Sequence, residues 1–250
     1  MSIQPDEIKL YGSAVMPDDD STTNIGGAVD LTKKVEFTDI SPSGTVEAVS
    51  SNSGDTQTLT IYGRNPAGEI VSESHALNGT TVVSFSTTFE RILRATLSAA
   101  ATGTVTISES GGGDDLITME PGITEVRRPF YNASTPSSGT REYYEKVFFR
   151  NESSEGLTLT NAVIKETSDP SGKIDFALES TLDGNDTNGS GNNRQVAPSG
   201  YTFDSNDKNV ANSQNHTANA SQGVWLRLTL GSGDAAMKTT YTLSEEGTST

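Results

Sequence analysis

The two histidines are the side chains best suited to acid–base chemistry, and neither has a second histidine at the spacing of a metal site. His75 ends the run Ser72-Glu73-Ser74-His75, in which hydroxyl, carboxylate and imidazole groups follow one another. A nucleophile, its base and an orienting acid must converge in space, and neighbours along one extended strand do not. His216 lies in the polar stretch Asn215-His216-Thr217. We therefore predict structural or solvated roles for both histidines.

Two acidic runs carry oxygen ligands that a hard cation prefers. The first is Asp18-Asp19-Asp20, and the second, at residues 183–189, begins like a calcium loop. Asn188 stands where that loop needs its turn glycine, and Arg194 stands where it needs a bidentate glutamate. Because both discriminating positions differ, we predict solvated turns, no metal site and no cofactor, with a bound loop cation as the lesser alternative.

Motifs for covalent catalysis are missing from the sequence. The chain has no cysteine, which excludes disulfides, thiolate zinc sites and cysteine nucleophiles. It also has no nucleophile elbow, phosphate loop, dinucleotide fingerprint or His-Glu-x-x-His helix. Paired carboxylates for glycoside cleavage are conceivable, but no pair is singled out, and aromatic residues make up only 6% of the chain. We predict no catalytic residues and no enzymatic activity.

Charge restricts the partners of this chain of 250 residues. Lysine and arginine number 17 against 33 acidic residues, for a formal charge of −16. Phosphate backbones and anionic lipids bind clustered cations, so we expect neither nucleic acid nor membrane as a partner. The start of the chain, MSIQPDE, lacks a cationic and then apolar signal, and we expect a soluble protein outside the general secretory route.

Small basic spots stand out against this acidic background. They could pair with acidic patches on neighbouring subunits, although solvated charge is the alternative. With the aromatic residues that follow the second spot, they form the predicted set of partner-contact residues: Lys33, Lys34, Arg127, Arg128, Phe130 and Tyr131.

Alternating apolar and polar residues recur about every ten residues between positions 35 and 108. Turn sequences rich in Gly, Pro, Asn and Ser separate the alternating runs, a rhythm typical of β-sandwiches. Residues 89–101 also fit a helical period, but the run is short and strand is favoured. The pattern predicts about seven strands, at 35–38, 45–49, 57–62, 69–73, 81–85, 91–97 and 104–108.

The Gly-rich stretch at 110–115 predicts a domain boundary. Residues 116–131 then read as an extended connecting arm, because Pro121 and Pro129 restrict the residues before them. A second β set follows at 142–151, 157–160, 162–165, 174–178, 223–230 and 240–244. In the run 223–230, Val224 and Leu226 share a face that we predict to be core, whereas Trp225 lies on the other face as a core or rim anchor.

The predicted fold is all-β, with two β-sandwich domains of Ig-like or jelly-roll-like type joined by an extended arm. An extended N-terminal arm covers 1–34, the first sandwich 35–110, and a Gly-rich linker and connecting arm 111–141. The second sandwich covers 142–250 and includes a long polar loop at 182–222, expected to run over the surface. Since only 32% of residues are apolar, we expect part of the stability to come from partners.

Five segments together resemble virion structural proteins of tailed viruses of bacteria and archaea. They are IKLYGSAVMPD (8–18), FERIL (89–93), EPGIT (120–124), YEKVFFRN (144–151) and GVWLRL (223–228). The resemblance spans nearly the whole chain. It implies a non-enzymatic capsid decoration or cement protein, located on the exterior of the virion head. Its partners would be the major capsid protein and copies of itself, in a homo-oligomer that could be a trimer. The alternatives are a tail or fibre component that recognises a host-surface glycan through 182–222, and a structural subunit associated with the tail tube.

Overall fold

The alternating segments form strands in the computed structural model, which describes residues 2–235 and 240–250. The all-β prediction is confirmed. The strands are β1 (Ile8–Val15), β2 (Gly26–Lys34), β3 (Val46–Ser50), β4 (Thr58–Arg64), β5 (Ile70–Ala76), β6 (Val83–Ser84), β7 (Arg91–Leu97), β8 (Val105–Glu109), β9 (Asp115–Met119), β10 (Glu125–Arg127), β11 (Thr140–Asn151), β12 (Leu159–Ser168), β13 (Ile174–Leu182), β14 (Lys208–Asn209), β15 (Ser221–Gly231) and β16 (Thr242–Ser249). A 3-10 turn, Pro5–Glu7, precedes β1, and a short helical turn, α1 (Ala211–Gln214), precedes β15.

The chain divides into two units whose boundaries differ from the predicted domains. Unit 1 comprises Met1–Asp30 with Pro129–Thr250, and unit 2 comprises Leu31–Arg128. The predicted N-terminal arm contains β1 and β2, and the predicted connecting arm contains β9 and β10. Strands β1 and β10 belong to sheets because their main-chain groups pair with strands distant in sequence, as Ile8 does with Asn151, whereas β9 pairs with the preceding strand β8. Residues 35–38, predicted as a strand, have no regular structure.

Unit 1 contains a sheet in the order β13-β15-β11-β1-β2 and a smaller sheet in the order β14-β12-β16. Trp225 of β15 lies opposite Lys146 of β11 on one side and Ala177 of β13 on the other. Val224 and Leu226 are as buried as Trp225, so both faces of the strand are covered. Ile25 and Tyr201 pack on the Trp225 face. The prediction of a core face at Val224 and Leu226 is therefore right but incomplete.

Unit 2 contains strands in the order β2-β10-β7-β4-β5 and a sheet in the order β6-β3-β8-β9. Its core forms from strict alternation, as in β4, where Leu59 and Ile61 are fully buried between half-exposed neighbours. Segment 91–97 is strand β7, as the sequence favoured. Ile107 of β8 and Phe89 complete the same apolar interior.

The long polar segment at 182–222 is largely at the surface, as predicted, but it has buried anchors. Asn188 and Arg194 are almost fully buried, and His216 is fully buried. Asn188 accepts a hydrogen bond from the main-chain N–H of Ile25 at 2.9 Å and donates to the carbonyl of Asn193 at 2.6 Å. Amide side chains thus satisfy main-chain groups that an apolar core would leave unpaired. Most other residues of the segment are exposed or half-buried, so these side chains anchor a surface segment to unit 1.

Candidate functional site

The predicted partner-contact residues are mostly involved in contacts within the chain. Lys34, Arg127 and Tyr131 are buried, so the structure does not present them to a partner. The Lys34 ammonium lies 2.7 Å from a carboxylate oxygen of Glu120 and 3.6 Å from one of Glu36. Basic residues in an acidic chain find carboxylates nearby, so Lys34 forms its ion pairs within the chain.

Arg128 holds two separate segments of unit 2 together. Its Nε donates to the carbonyl of Ile92 at 2.8 Å, and its Nη2 donates to Asp39 at 2.6 Å. The guanidinium also stacks on Phe37, 4.5 Å from the ring centre. Burial, together with the nearby Arg91 cation, lowers the pKa of Arg128 to about 10.

Lys33 and Phe130, which complete the predicted set, are half-buried. Phe130 adopts a positive φ of 60°, and its main-chain N–H donates to the buried carboxylate of Glu145 at 2.8 Å. Three of the six residues are therefore buried and three are half-buried, and none is fully exposed.

A fully buried ion pair lies at the centre of unit 1. The Nζ of Lys146 (β11) is 2.5 Å from Oε1 of Glu179 (β13), and the two side chains are 0% and 1% exposed. The same ammonium donates to the carbonyls of Gly27 at 2.8 Å and Asp186 at 3.2 Å. Burial lowers the pKa of Lys146 and raises that of Glu179, while their mutual attraction acts in the opposite direction. The pair joins two strands to the segments that cover them.

The groups around this ion pair are closely packed. A methyl group at Gly223 would lie 2.0 Å from Oε2 of Glu179, and one at Gly26 would lie 2.7 Å from the ring of Trp225. The Lys146 ammonium is 4.7 Å from the centre of the Phe148 ring. Closely packed glycines and aromatic rings therefore enclose the charges, and the arrangement fits a structural link and not a reactive pocket.

Arg194 forms a second buried junction in unit 1. Its Nε donates to Asp20 at 2.7 Å, and its Nη1 donates to the carbonyl of Tyr131 at 2.5 Å. The guanidinium lies over the ring of Tyr143, 4.9 Å from its centre. Glu145, also buried, lies 3.8 Å from Nη1. Arg194, which stands where a calcium loop would need a glutamate, thus binds three segments of the chain.

His216 and Glu245 form a third buried pair in unit 1. Nδ1 of His216 lies 2.6 Å from Oε1 of Glu245, and Nε2 lies 3.0 Å from the carbonyl of Ala220. The imidazole thus lies between a carboxylate and a main-chain carbonyl, both of which accept hydrogen bonds. The structural role predicted for His216 agrees with this geometry, although the residue is buried and not solvated.

Asp55 is the corresponding junction of unit 2. Its carboxylate accepts hydrogen bonds from the Ser50 hydroxyl at 2.6 Å and from the main-chain N–H groups of Thr102 and Gly103 at 2.9 Å each. These bonds, led by that of Ser50, lower the pKa of Asp55 to about 2. The Asp55 carboxylate therefore connects the loop after β3 with the loop before β8.

The run Ser72-Glu73-Ser74-His75 brings only its acid and imidazole together. Nε2 of His75 lies 2.8 Å from Oε1 of Glu73. The carboxylate of Glu73 also accepts main-chain hydrogen bonds from Ser86 at 3.0 Å and Thr87 at 2.7 Å. Burial opposes ionisation of Glu73, but these bonds outweigh it and hold its pKa at about 2. Since Glu73 binds main-chain groups, the arrangement resembles a loop cap and not a catalytic triad.

The acidic runs considered as cation sites bind protein groups. Asp19 accepts hydrogen bonds from Ser21 and Thr22, and Asp20 binds Arg194. Within residues 2–235 and 240–250, no group of three or more His, Asp or Glu side chains is placed to hold a metal ion.

Sequence reasoning missed the junctions at Lys146, Glu179 and Arg194. One signal was present, because Glu145-Lys146 interrupts a strand that is otherwise aromatic and aliphatic from Tyr143 to Phe149. Charged neighbours within such a run indicate buried partners, since an unpaired buried charge is costly.

No family model, curated protein or solved structure matches the chain. In the part of the chain that the structure describes, no helix combines the length and apolar character that membrane crossing requires.

Proposed function

We propose that the chain is a non-enzymatic structural protein of a tailed-virus particle, a capsid decoration or cement protein that binds the outside of the head. Its partners would be the major capsid protein and further copies of the chain. The proposal starts from the resemblance carried by residues 8–18, 144–151 and 223–228.

One observation carries the proposal further: these three segments supply the adjacent strands β1, β11 and β15 of unit 1. The buried charges beside them bind main-chain groups, as Lys146 binds the carbonyl of Gly27. Because these charged side chains connect the strands to the segments that cover them, the arrangement supports a role in stabilising a particle. The acidic composition, with its charge of −16, favours solubility at a crowded particle surface.

The corrected fold changes how such a protein would bind a shell. Residues 1–34 and 116–131 include strands paired within their own units, so they do not act as free arms that brace neighbouring subunits. Binding would therefore use the folded surface of the subunit.

The test is co-sedimentation of the purified full chain with DNA-free heads, and separately with tails, of the virus that encodes it. A decoration protein binds heads to a saturating copy number and raises the temperature at which the heads break open. Binding to tails alone, or to neither part, would refute the head assignment.

The glycan-binding alternative is tested on the same preparation. An open polar depression of about 420 Å³ in unit 1, lined by Arg141, Glu142 and Gln195 among others, is where a sugar would bind. Retention on a glycan array that Gln195→Ala abolishes would favour this alternative. Absence of retention together with head binding supports the decoration role.

A further inference from the structure

Strand β5 forms an open edge of unit 2. It is the last strand in the order β10-β7-β4-β5, and all seven of its residues, Ile70–Ala76, pair with β4 without a bulge. None of the seven residues is buried. The other long side of the strand is therefore accessible.

The hydrogen-bond phase identifies which groups point outward. Asn65 donates to the carbonyl of Glu69 at 2.9 Å, and Leu77 donates to that of Gln57 at 2.9 Å, so the odd-numbered residues of β5 bond to β4. The N–H and C=O groups of the even-numbered residues point away from the sheet. These residues are Ile70, Ser72, Ser74 and Ala76, all exposed.

Other sheet edges in the described residues are protected in ways that β5 is not. The main chain of Phe176 in β13 pairs with Asp204, and Leu116 of β9 accepts a hydrogen bond from Thr38. Strand β16 pairs with β12 through two irregularities in register, and β6 and β14 have only two residues each. Bulges, short strands and prolines prevent edge-to-edge pairing, and β5 has none of them.

We infer that β5 is a self-association edge that pairs antiparallel with β5 of a second copy across a two-fold axis. Outward hydrogen bonds require even residues to face even residues, which restricts the register. An axis at Glu73 would place two carboxylates opposite each other, and an axis at Ser72 would place Glu73 opposite the partner's Val71. An axis at Ser74 places Glu73 opposite the partner's His75, which is the complementary arrangement.

The surface near the axis suits this register. Ser72, Ser74 and Ala76 are small, so two main chains can approach closely. The Glu73 carboxylate is held in place by Ser86 and Thr87, and the His75 side chain is 41% exposed. Because Nε2 of His75 already lies 2.8 Å from Glu73 of its own chain, the two copies would form a symmetric cluster of two carboxylates and two imidazoles around the axis.

Sedimentation velocity of the full chain over a range of concentrations tests the inference, with Ser74→Pro and Ser74→Thr as a matched pair. The Ser74 N–H points away from β4, so proline leaves the β4–β5 ladder intact but removes an outward donor in each copy. We expect reversible dimers for the wild type and Ser74→Thr, and dimerisation weakened about tenfold or more in Ser74→Pro.

A second pair of variants, His75→Lys and His75→Glu, tests the register if Ser74→Pro fails to fold. Lysine should preserve the dimer and glutamate should weaken it, because each would face the partner's Glu73. A chain that stays monomeric at all concentrations overturns the inference. So does a dimer that Ser74→Pro and His75→Glu leave unchanged. Self-association is measured in the absence of heads. A monomeric chain would therefore refute this inference without refuting the proposed function.

Discussion

Replacing Lys146 by methionine should destabilise unit 1 strongly. Methionine fills most of the same space, but it leaves the Glu179 carboxylate buried without its cation and removes the donor to the carbonyls of Gly27 and Asp186. Breaking a fully buried pair by removing one partner costs about 3–5 kcal/mol. We expect a loss of this size in the free energy of unfolding.

The double variant Lys146→Met/Glu179→Leu separates the ion pair from the packing around it. Removing both charges eliminates the uncompensated carboxylate, and apolar replacements of buried pairs are often neutral or stabilising. The main-chain N–H of Asp186, which donates to Glu179 at 3.0 Å, would still lose its acceptor. We therefore expect partial recovery, with a coupling free energy of about 1–3 kcal/mol between the two sites.

Urea denaturation followed by the fluorescence of Trp225 provides the assay. This is the single tryptophan of the chain, and the Lys146 ammonium lies 5.7 Å from its ring centre, so the signal reports on unit 1. The more exposed pair Lys165–Glu246, 2.7 Å apart, supplies the control, because Lys165→Met should destabilise the protein much less than Lys146→Met. Equal losses in the two lysine variants, or additive effects in the double variant, would refute the reasoning.

Three further predictions concern the remaining junctions. Because the pKa of Asp55 is lowered to about 2, its stabilisation of unit 2 is complete above the ordinary aspartate pKa of about 4 and is lost as the pH falls toward 2. The difference in stability between the wild type and Asp55→Asn, measured by denaturation at each pH, should shrink across that interval; a constant difference would contradict it. His216→Leu should lower the melting temperature more than His75→Leu, because it leaves the buried Glu245 carboxylate and the carbonyl of Ala220 without their hydrogen-bond partner; equal losses would contradict this structural role. Gly26→Ala should lower the melting temperature more than Gly200→Ala. Both glycines have a positive φ, +100° and +84°, but only a methyl group added at Gly26 would have atoms within 3 Å. Equal losses would show that backbone strain, and not close packing, determines the effect.

Alternation was sufficient to predict most strands, because one buried face imposes a period of two on the residues. Strands β4, β7 and β8 follow this rule closely. The rule failed for most of the predicted arms, because the strands that pair with β1 and β10 lie far away in the sequence. Proline at 121 and 129 restricts its neighbours but does not prevent the short strand β10 between them.

The buried junctions were beyond sequence reasoning for a related reason. Glu179 is 33 residues from Lys146, and Asp20 is 174 residues from Arg194, so neither pairing has a local signal. A charged residue within an apolar run indicates that a partner exists but not which one. Asparagine and glycine are common in loops, and the polar segment 182–222 is largely exposed or half-buried, but its composition did not indicate that Asn188 is buried in unit 1.

These junctions also change the expected source of stability. With 32% apolar residues, the chain was expected to depend partly on its partners. Asn188, Arg194 and Asp55 instead satisfy main-chain groups within each unit, and a satisfied buried hydrogen bond avoids the cost of an unpaired group. A subunit stabilised in this way should fold before it assembles. The open edge of β5 would then contribute to association between finished subunits and not to the folding of either one.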